Sequence, residues 1–495
     1  MNFRMPEYEE IHAAFEKGEA AVVELFKDVG KQIEELAAQF EKQSEALKEL
    51  QARLKKNSRN SGKPPSSDGY GKAKRTESLR KAGEKPNGGQ RGHEGHTLKA
   101  SDKPDRTETH TPEQCEHCHA SLSAVNAEVY EERQVFDIPA IRIEVTAHRA
   151  EIKICPKCGK ETKGKFPEGV TQSTQYGNEV KTWASYFSNQ HHIAVERTSQ
   201  IFEDLIQHRI SEATVLKASE ELSDSITDSV ETVKEMLRES EVLNLDESGM
   251  RVKGKLHWLH VTSTDKLTHY EIHERRGKEA MDDVGILNDF QGTAVHDHWK
   301  PYFKYEDCSH GLCNAHHLRE LQYIEKQYEQ SWAKEMAELL LEIKKRVDET
   351  SLQANSLPEK QIEKFEQRYD DIVKAGEKVN PRSPPDKTDG SVKKRGRVKQ
   401  TPPVNLLTRL KDYKAETLAF MYDFRVPFDN NQAERDVRMV KVKQKVSGSF
   451  RTVEGAQRFG RIRGYISTAR KNAKNVIEAI RDAFNGNPFI PCSET

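Results

Sequence analysis

From Val22 onward, apolar residues recur at alternating steps of four and three: Val22, Phe26, Val29, Ile33, Leu36, Phe40, then Leu47, Leu50 and Leu54, with Gln43 the one polar interruption. A 3.5-residue repeat held that long requires a helix that presents a single seam, and Glu and Lys between the seam positions point to a coiled coil. Residues 1–56 therefore read as a coiled-coil segment. A seam of this length fits a second copy of the chain, which makes a homo-oligomer the expectation; packing of the helix on its own domain is the alternative. Gln43 in the seam would fix register at a cost in stability.

The chain has 495 residues, too many for one core and enough for about three domains. Its formal net charge is −1, so the sum selects no partner, but the distribution is uneven. Residues 51–110 carry 15 Lys or Arg against 7 acids, and residues 441–475 carry 10 against 1. Residues 57–106 combine this charge with Ser, Gly and Pro and show almost no apolar periodicity, so they read as a basic flexible linker, either a plain spacer or an arm that orders on phosphates. No stretch approaches the roughly 18 apolar residues of a membrane span, and the first residues lack the apolar run of a secretory signal. A cytoplasmic protein is expected, and with it reduced cysteines.

Four of the seven cysteines form two CxxC pairs, Cys115 with Cys118 and Cys155 with Cys158, with 36 residues between the pairs. Each pair lets two sulfurs converge from one turn, and four thiolates close a tetrahedral Zn²⁺ shell. Residues 107–170 thus read as a zinc-binding module of short strands around one structural Zn²⁺, with VYEERQVFDIP on a hairpin between the pairs. His117 and His119 could each replace a cysteine ligand, but the four-cysteine set is complete without them, which makes them bystanders in this reading.

Residues 171–240 read as helical. Within them Val195–Leu205, a break at His208 and Arg209, and Ser211 as the cap of a second helix have the layout of a helix-turn-helix, a layout many helical hairpins share. At Glu241 the pattern changes to period two: EVLNLDES, KLHWLHVTS and LTHYEIH read as strands, GKEAMDDVGIL as a helix and GTAVHD as a further strand. That order opens a ribonuclease H-like α/β domain, taken here as residues 241–484 with a helical insertion at about 315–416 and a tail at 485–495. Asp246 and Asp297 fall at the ends of two of these strands, where a carboxylate gains no packing and calls for a partner such as a cation. Asp also ends strands as a plain turn residue. Glu434 lies at the start of a helix in DNNQAERDVR, where Asn431 as N-cap with Glu434 three residues on would make a capping box, and Arg438 would make an i,i+4 ion pair.

The heptad-bearing N-terminus, LKKNSRNSGKPPSSD, the paired CxxC knuckles, the LDES strand, CNAHHLREL and DNNQAER stand in an order that resembles the insertion-sequence-66 family of transposases. The resemblance implies an Asp-Asp-Glu enzyme in which Asp246, Asp297 and Glu434 are the catalytic triad and hold two Mg²⁺ ions. Such ions clamp the attacking and leaving oxygens of a phosphoryl transfer. It implies cleavage at element ends, strand transfer into target DNA, a bacterial and nucleoid-associated setting, and accessory proteins of the element as further partners. Arg435, Arg438, Lys441, Lys443 and Lys445 are the candidate DNA contacts, with a solvated basic face as the alternative. The competing functions are a non-catalytic zinc-containing DNA-binding regulator and a metal nuclease that cuts without joining. The whole reads as a multidomain α+β chain: coiled coil, zinc-binding module, helical DNA-binding region and catalytic α/β domain.

Overall fold

The computed structural model describes residues 5–54, 98–382 and 400–492. Most of the basic linker, residues 57–97, and most of the Pro- and Lys-rich stretch near residue 390 lie outside the described residues. The chain divides into two units, one of residues 1–72, 172–199 and 210–495 and the other of residues 73–171 and 200–209.

At the N-terminus, α1 (Tyr8–Glu16) turns into α2 (Glu19–Leu54), a single helix of 36 residues over the whole heptad series. Gly18 makes the turn at φ +97°, which a side chain would resist. Along α2, Phe26, Ile33, Leu36, Phe40, Leu47, Leu50 and Leu54 are exposed. The seam faces solvent in the single chain.

The smaller unit holds the cysteine pairs. Its strands β1 (Ile152–Ile154) and β2 (Glu161–Lys163) are antiparallel and flank the second pair. The hairpin expected for VYEERQVFDIP does not form: this segment has no strand, and Val129, Tyr130, Val135, Phe136 and Ile138 are exposed. An isolated hairpin with no apolar surface beneath it is marginal in water, and nothing buries this one.

Helices α3 (Asn178–Ser185), α4 (Val195–Ile206), α5 (Glu212–Ser225) and α6 (Thr227–Arg238) follow, and α3 runs into a π-helical turn at Tyr186–Gln190. Ser211 caps α5, its Oγ accepting from Thr214 N–H at 3.1 Å, as its place before the helix predicts. The sheet comes next: β3 (Val242–Val252), β4 (Lys255–Ser263), β5 (Thr268–His273), helix α7 (Lys278–Val284), β6 (Thr293–His296) and β7 (Ser309–Leu312). Strand order is β5-β4-β3-β6-β7, with β3, β4 and β5 antiparallel and β6 and β7 parallel to β3. The period-two pattern locates the first three strands, GKEAMDDVGIL contains α7 and GTAVHD contains β6, while β7 is not among the strands expected from the sequence. Gly292 enters β6 where a Cβ would lie 2.4 Å from the Glu241 carbonyl oxygen, so only glycine lets the two strands start side by side.

Both sheet faces are covered. Leu243, Leu245, Met281, Ile286, Phe290 and Tyr302 form a core on one. On the other, Met250, Val252, Val261 and Tyr270 pack against α14 (Asn431–Ser447) and α15 (Val453–Lys471) through Ala433, Val437, Val440 and Phe459. Between β7 and α14 lie α8 (Asn314–Tyr328), α9 (Ser331–Thr350), α10 (Glu359–Val379), α11 (Pro402–Asp412) and two single turns, α12 (Lys414–Thr417) and α13 (Ala419–Tyr422). These helices bury a core of their own around Trp332, Leu339, Tyr369 and Leu407, so the segment is a helical bundle inserted into the sheet domain. The last helix is α16 (Val476–Phe484).

Candidate active site

The register of β3 on β6 decides what Asp246 meets. Val242 pairs with Thr293 and Asn244 with Val295, so the same offset sets Asp246 beside Asp297, one residue past the end of β6. The sequence places Asp246 at a strand end, and the structure corrects this: β3 runs on to Val252, and Asp246 pairs with Val261 of β4. The strand continues because Lys253 and Gly254, at φ +50° and +76°, form a tight hairpin turn into β4. Pairing ends only on the β6 side. There Asp246 Oδ1 accepts from Glu247 N–H at 2.8 Å and Asp297 Oδ1 from Trp299 N–H at 3.0 Å.

Glu434 arrives from α14, whose start is tied to β3 by a buried side chain. Asn430 donates from Nδ2 to the Leu245 carbonyl at 2.6 Å, accepts at Oδ1 from Asn244 Nδ2 at 2.9 Å, and sends its backbone N–H to Cys313 Sγ at 3.2 Å. Asn430, not Asn431, is the N-cap, so Glu434 is not the third residue of a capping box. Its carboxylate instead faces Arg319 Nη2 at 3.3 Å and His316 Nδ1 at 3.8 Å, both from α8. Both aspartates feel the charge of Glu434. Burial first, then the charges of Glu247, Asp297 and Glu434, hold the Asp246 carboxyl well above the carboxylate range. Burial and Glu247 push Asp297 up to about 7, with Glu434 adding to the shift and Arg276 opposing it. Beside Asp297 and Trp299 opens a cavity of about 190 Å³ reaching Cys313, His316, Glu320 and Arg409.

A family model described as Transposase IS66 family matches residues 173–458, more than half of the chain and all of the sheet with its three acids. The chain belongs to the IS66 family of transposases. A second model, a family of unknown function named DUF6444, matches residues 6–99. No curated protein matches the chain.

Around the acids of this transposase stand groups that periodicity did not single out. Glu247, buried on the opposite face of β3 from Asp246, accepts from Arg276 Nε at 2.9 Å and Tyr302 Oη at 2.6 Å. Arg276 lies over Trp258 and Trp299, 4.9 and 4.2 Å from their ring centroids. Glu247 adjoins Asp246 in LDES, but its partners lie 29 and 55 residues away, and no local pattern reports them. Cys313 and His316 do leave a signal, the C-x-x-H of CNAHHLREL.

The basic residues of α14 divide by exposure. Arg435, Arg438 and Lys445 are exposed, and Arg435 donates to Gln432 Oε1 at 2.7 Å. Lys441 donates to the Gly249 carbonyl, and Lys443 sits over Phe450 and Phe459, so both ammonium groups are half-buried and their proton affinity is lowered by desolvation. Further along, Lys471 pairs with Asp436 at 2.9 Å, Arg458 with Glu220 at 2.7 Å, and buried Arg463 donates to Gln190 Oε1 at 2.6 Å. Much of the basic stretch at 441–475 is engaged inside the fold.

In the smaller unit the two CxxC turns are copies of each other. Cys115 N–H donates to Ala120 O and Cys155 N–H to Lys160 O, both at 2.9 Å, while His119 and Gly159 N–H close back on Cys115 O and Cys155 O at 2.9 and 2.8 Å. His119 and Gly159 share the left-handed conformation, at φ +58° and +69°. Backbone N–H groups of Cys118 and His117, and of Cys158 and Lys157, lower the affinity of Cys115 and Cys155 for their protons, which readies the thiols as ligands. Among the described residues, the ligand atoms of three or more His, Cys, Asp or Glu that gather within 4.8 Å of one another are those of Cys313, His316 and Glu434. The sulfurs of the two knuckles do not meet that distance as a set.

Proposed function

We propose that this transposase cleaves DNA at the ends of its element and joins the freed 3′-hydroxyl to target DNA, using Asp246, Asp297 and Glu434. The observation that carries the reading is the β3–β6 register, which sets Asp246 against Asp297 while α14 brings a third acid whose charge both feel. The sheet order and its mixed strand directions support the ribonuclease H-like reading.

Asp246 and Asp297, whose proton affinities rise through burial and then through neighbouring acids that include Glu434, form with Glu434 a donor set that lacks positive charge, and Arg319 on Glu434 supplies it only in part. The set fits hard divalent ions of the Mg²⁺ class, which Asp246, Asp297 and Glu434 would hold. When bound, such ions lower the pKa of a water and offset charge at the phosphorus. The chain's own groups do the rest. Asn430 fixes Glu434 over β3; the Glu247 pair holds Arg276 against the Trp299 ring beside Asp297; Arg435, Arg438 and Lys445 are free to meet phosphate oxygens.

The knuckle cysteines would hold one structural Zn²⁺, and the exposed seam of α2 would pair with a second copy, bringing two active sites to two DNA ends. Light scattering on the full chain and on one starting at Asn57 tests the pairing, with a larger assembly expected for the full chain; equal subunit numbers would count against it. The deciding experiment incubates the protein with DNA carrying its own element ends and Mg²⁺. Cleavage with joined product is expected; cleavage alone makes the chain a nuclease, and binding alone makes it a regulator.

A further inference from the structure

The trio of Cys313, His316 and Glu434 lies where the sheet domain passes into the helical insertion. Cys313 is the N-cap of α8, and His316 sits one turn on, its N–H bonded to the Cys313 carbonyl at 3.1 Å, so the C-x-x-H spacing turns thiol and imidazole to one side. From the opposite side α14 delivers Glu434, and the three ligand atoms all lie within 4.8 Å of one another. His316 Nδ1 is buried without a hydrogen-bond partner, 3.8 Å from the Glu434 carboxylate. An imidazole nitrogen shut away from water and aimed at a thiol and a carboxylate is costly unless something occupies the space between them.

We propose that Cys313, His316 and Glu434 form a transition-metal site of the Zn²⁺ class, separate from the Mg²⁺ pair in ligand chemistry but sharing Glu434 with it. Thiolate and imidazole select borderline-soft ions, while the all-carboxylate set beside them selects hard ones. Ligands about 2.0 to 2.3 Å from a tetrahedral ion lie roughly 3.3 to 3.8 Å apart, so a closing movement of about 1 Å completes the shell. Three protein ligands leave the fourth position open to the cavity that Cys313 and His316 line. The ion displaces the Cys313 thiol proton on binding, so affinity rises with pH. Arg319 stays on the shared carboxylate and orients it. An ion seated here takes Glu434 from Asp246 and Asp297, which makes Zn²⁺ a brake on the Mg²⁺-dependent chemistry. This consequence for rate rests on the proposed role of Glu434; the binding itself does not.

The test is equilibrium dialysis of the full chain against Zn²⁺ with metal counted by elemental analysis, comparing wild type with Cys313→Ser, His316→Gln and Cys155→Ser. Cys313→Ser and His316→Gln should each hold one ion fewer than wild type, and Cys313→Ser combined with Cys155→Ser should lose both classes of ion. Equal counts in wild type and in a folded Cys313→Ser or His316→Gln protein overturn the proposal; His316, half-buried, keeps the test open if the cysteine variant does not fold. In Mg²⁺-supported cleavage, Zn²⁺ should slow wild type roughly ten-fold or more while slowing His316→Gln far less, each against its own zinc-free rate. Lost ions with no cleavage by any protein would defeat the functional reading and leave the metal site standing; cleavage with equal ion counts would do the reverse.

Discussion

The CxxC turns and the carboxylate group are both sets of side chains able to ligate a metal, yet they are assembled in opposite ways. Each knuckle is a five-residue turn closed by its own backbone, and the same hydrogen bonds and the same left-handed residue appear twice. The carboxylates come from two strands and a helix, and the residues that aim them, Asn430 and Cys313, stand 185 and 117 positions from their partners. The first kind of arrangement is set locally, and because the described part of the unit around it has little core, a bound ion would supply its cohesion. The second is fixed by packing, which holds Asp246 and Asp297 against the charges of neighbouring acids. Function is thus expected to fail separately in the two regions.

The largest effect should come from the acids. Asp246→Asn, Asp297→Asn and Glu434→Gln keep side-chain size and would remove the charge that holds a divalent ion, so each should lower cleavage roughly 100-fold or more while leaving the circular dichroism spectrum unchanged and the melting temperature no lower than that of wild type. A Glu434→Gln protein that cuts at the wild-type rate would remove Glu434 from the site.

Next comes the knuckle module. Cys155→Ser should abolish its bound zinc and open residues 107–170 to protease, because a unit with so few buried residues owes its folding to the metal. The sheet domain should melt as before. Loss of both transitions together would show that the contrast between the two regions is false.

Glu247 sharpens the comparison inside the sheet domain. It adjoins Asp246, but its side chain is buried and paired with Arg276 and Tyr302, so it is no neutral control for the acids. Glu247→Gln should destabilise the fold by on the order of 2 kcal/mol, less than a fully buried pair would because Arg276 is partly exposed. Calorimetry measures this; an unchanged melting temperature would mean the pair contributes nothing.

The smallest effect is a pH dependence. Asp297 titrates at about 7 in the fold against an ordinary value of 3.8, so between those values the native chain holds a proton that the unfolded chain has released. Its contribution to stability is full below about pH 4 and is lost as pH rises through 7. Without divalent ions, wild type should therefore lose a few degrees of melting temperature relative to Asp297→Asn between pH 5 and pH 8. Mg²⁺ should remove most of that difference at pH 8, and a gap independent of pH would contradict the shift.

Elements whose cause is local were legible in the chain itself. The heptads give α2, period-two runs give β3, β4 and β5, Ser211 before an apolar-periodic run gives the start of α5, and CxxC gives the knuckle turns, since in each case the residues that determine the structure are neighbours. Asp246, Asp297 and Glu434 were visible as residues, but their separation in the chain conveys nothing about their placement in space. That depended on a strand register, on Gly292 allowing two strands to start side by side, and on Asn430 pinning α14 to β3. A buried hydrogen bond to a main chain 185 residues away has no periodicity to betray it. The engagement of Lys441, Lys443 and Lys471 within the fold, and the meeting of Cys313 and His316 with Glu434, were likewise decided by tertiary packing. Composition records a charge or a thiol; only the folded chain determines which groups lie close enough to neutralise it or to share an ion.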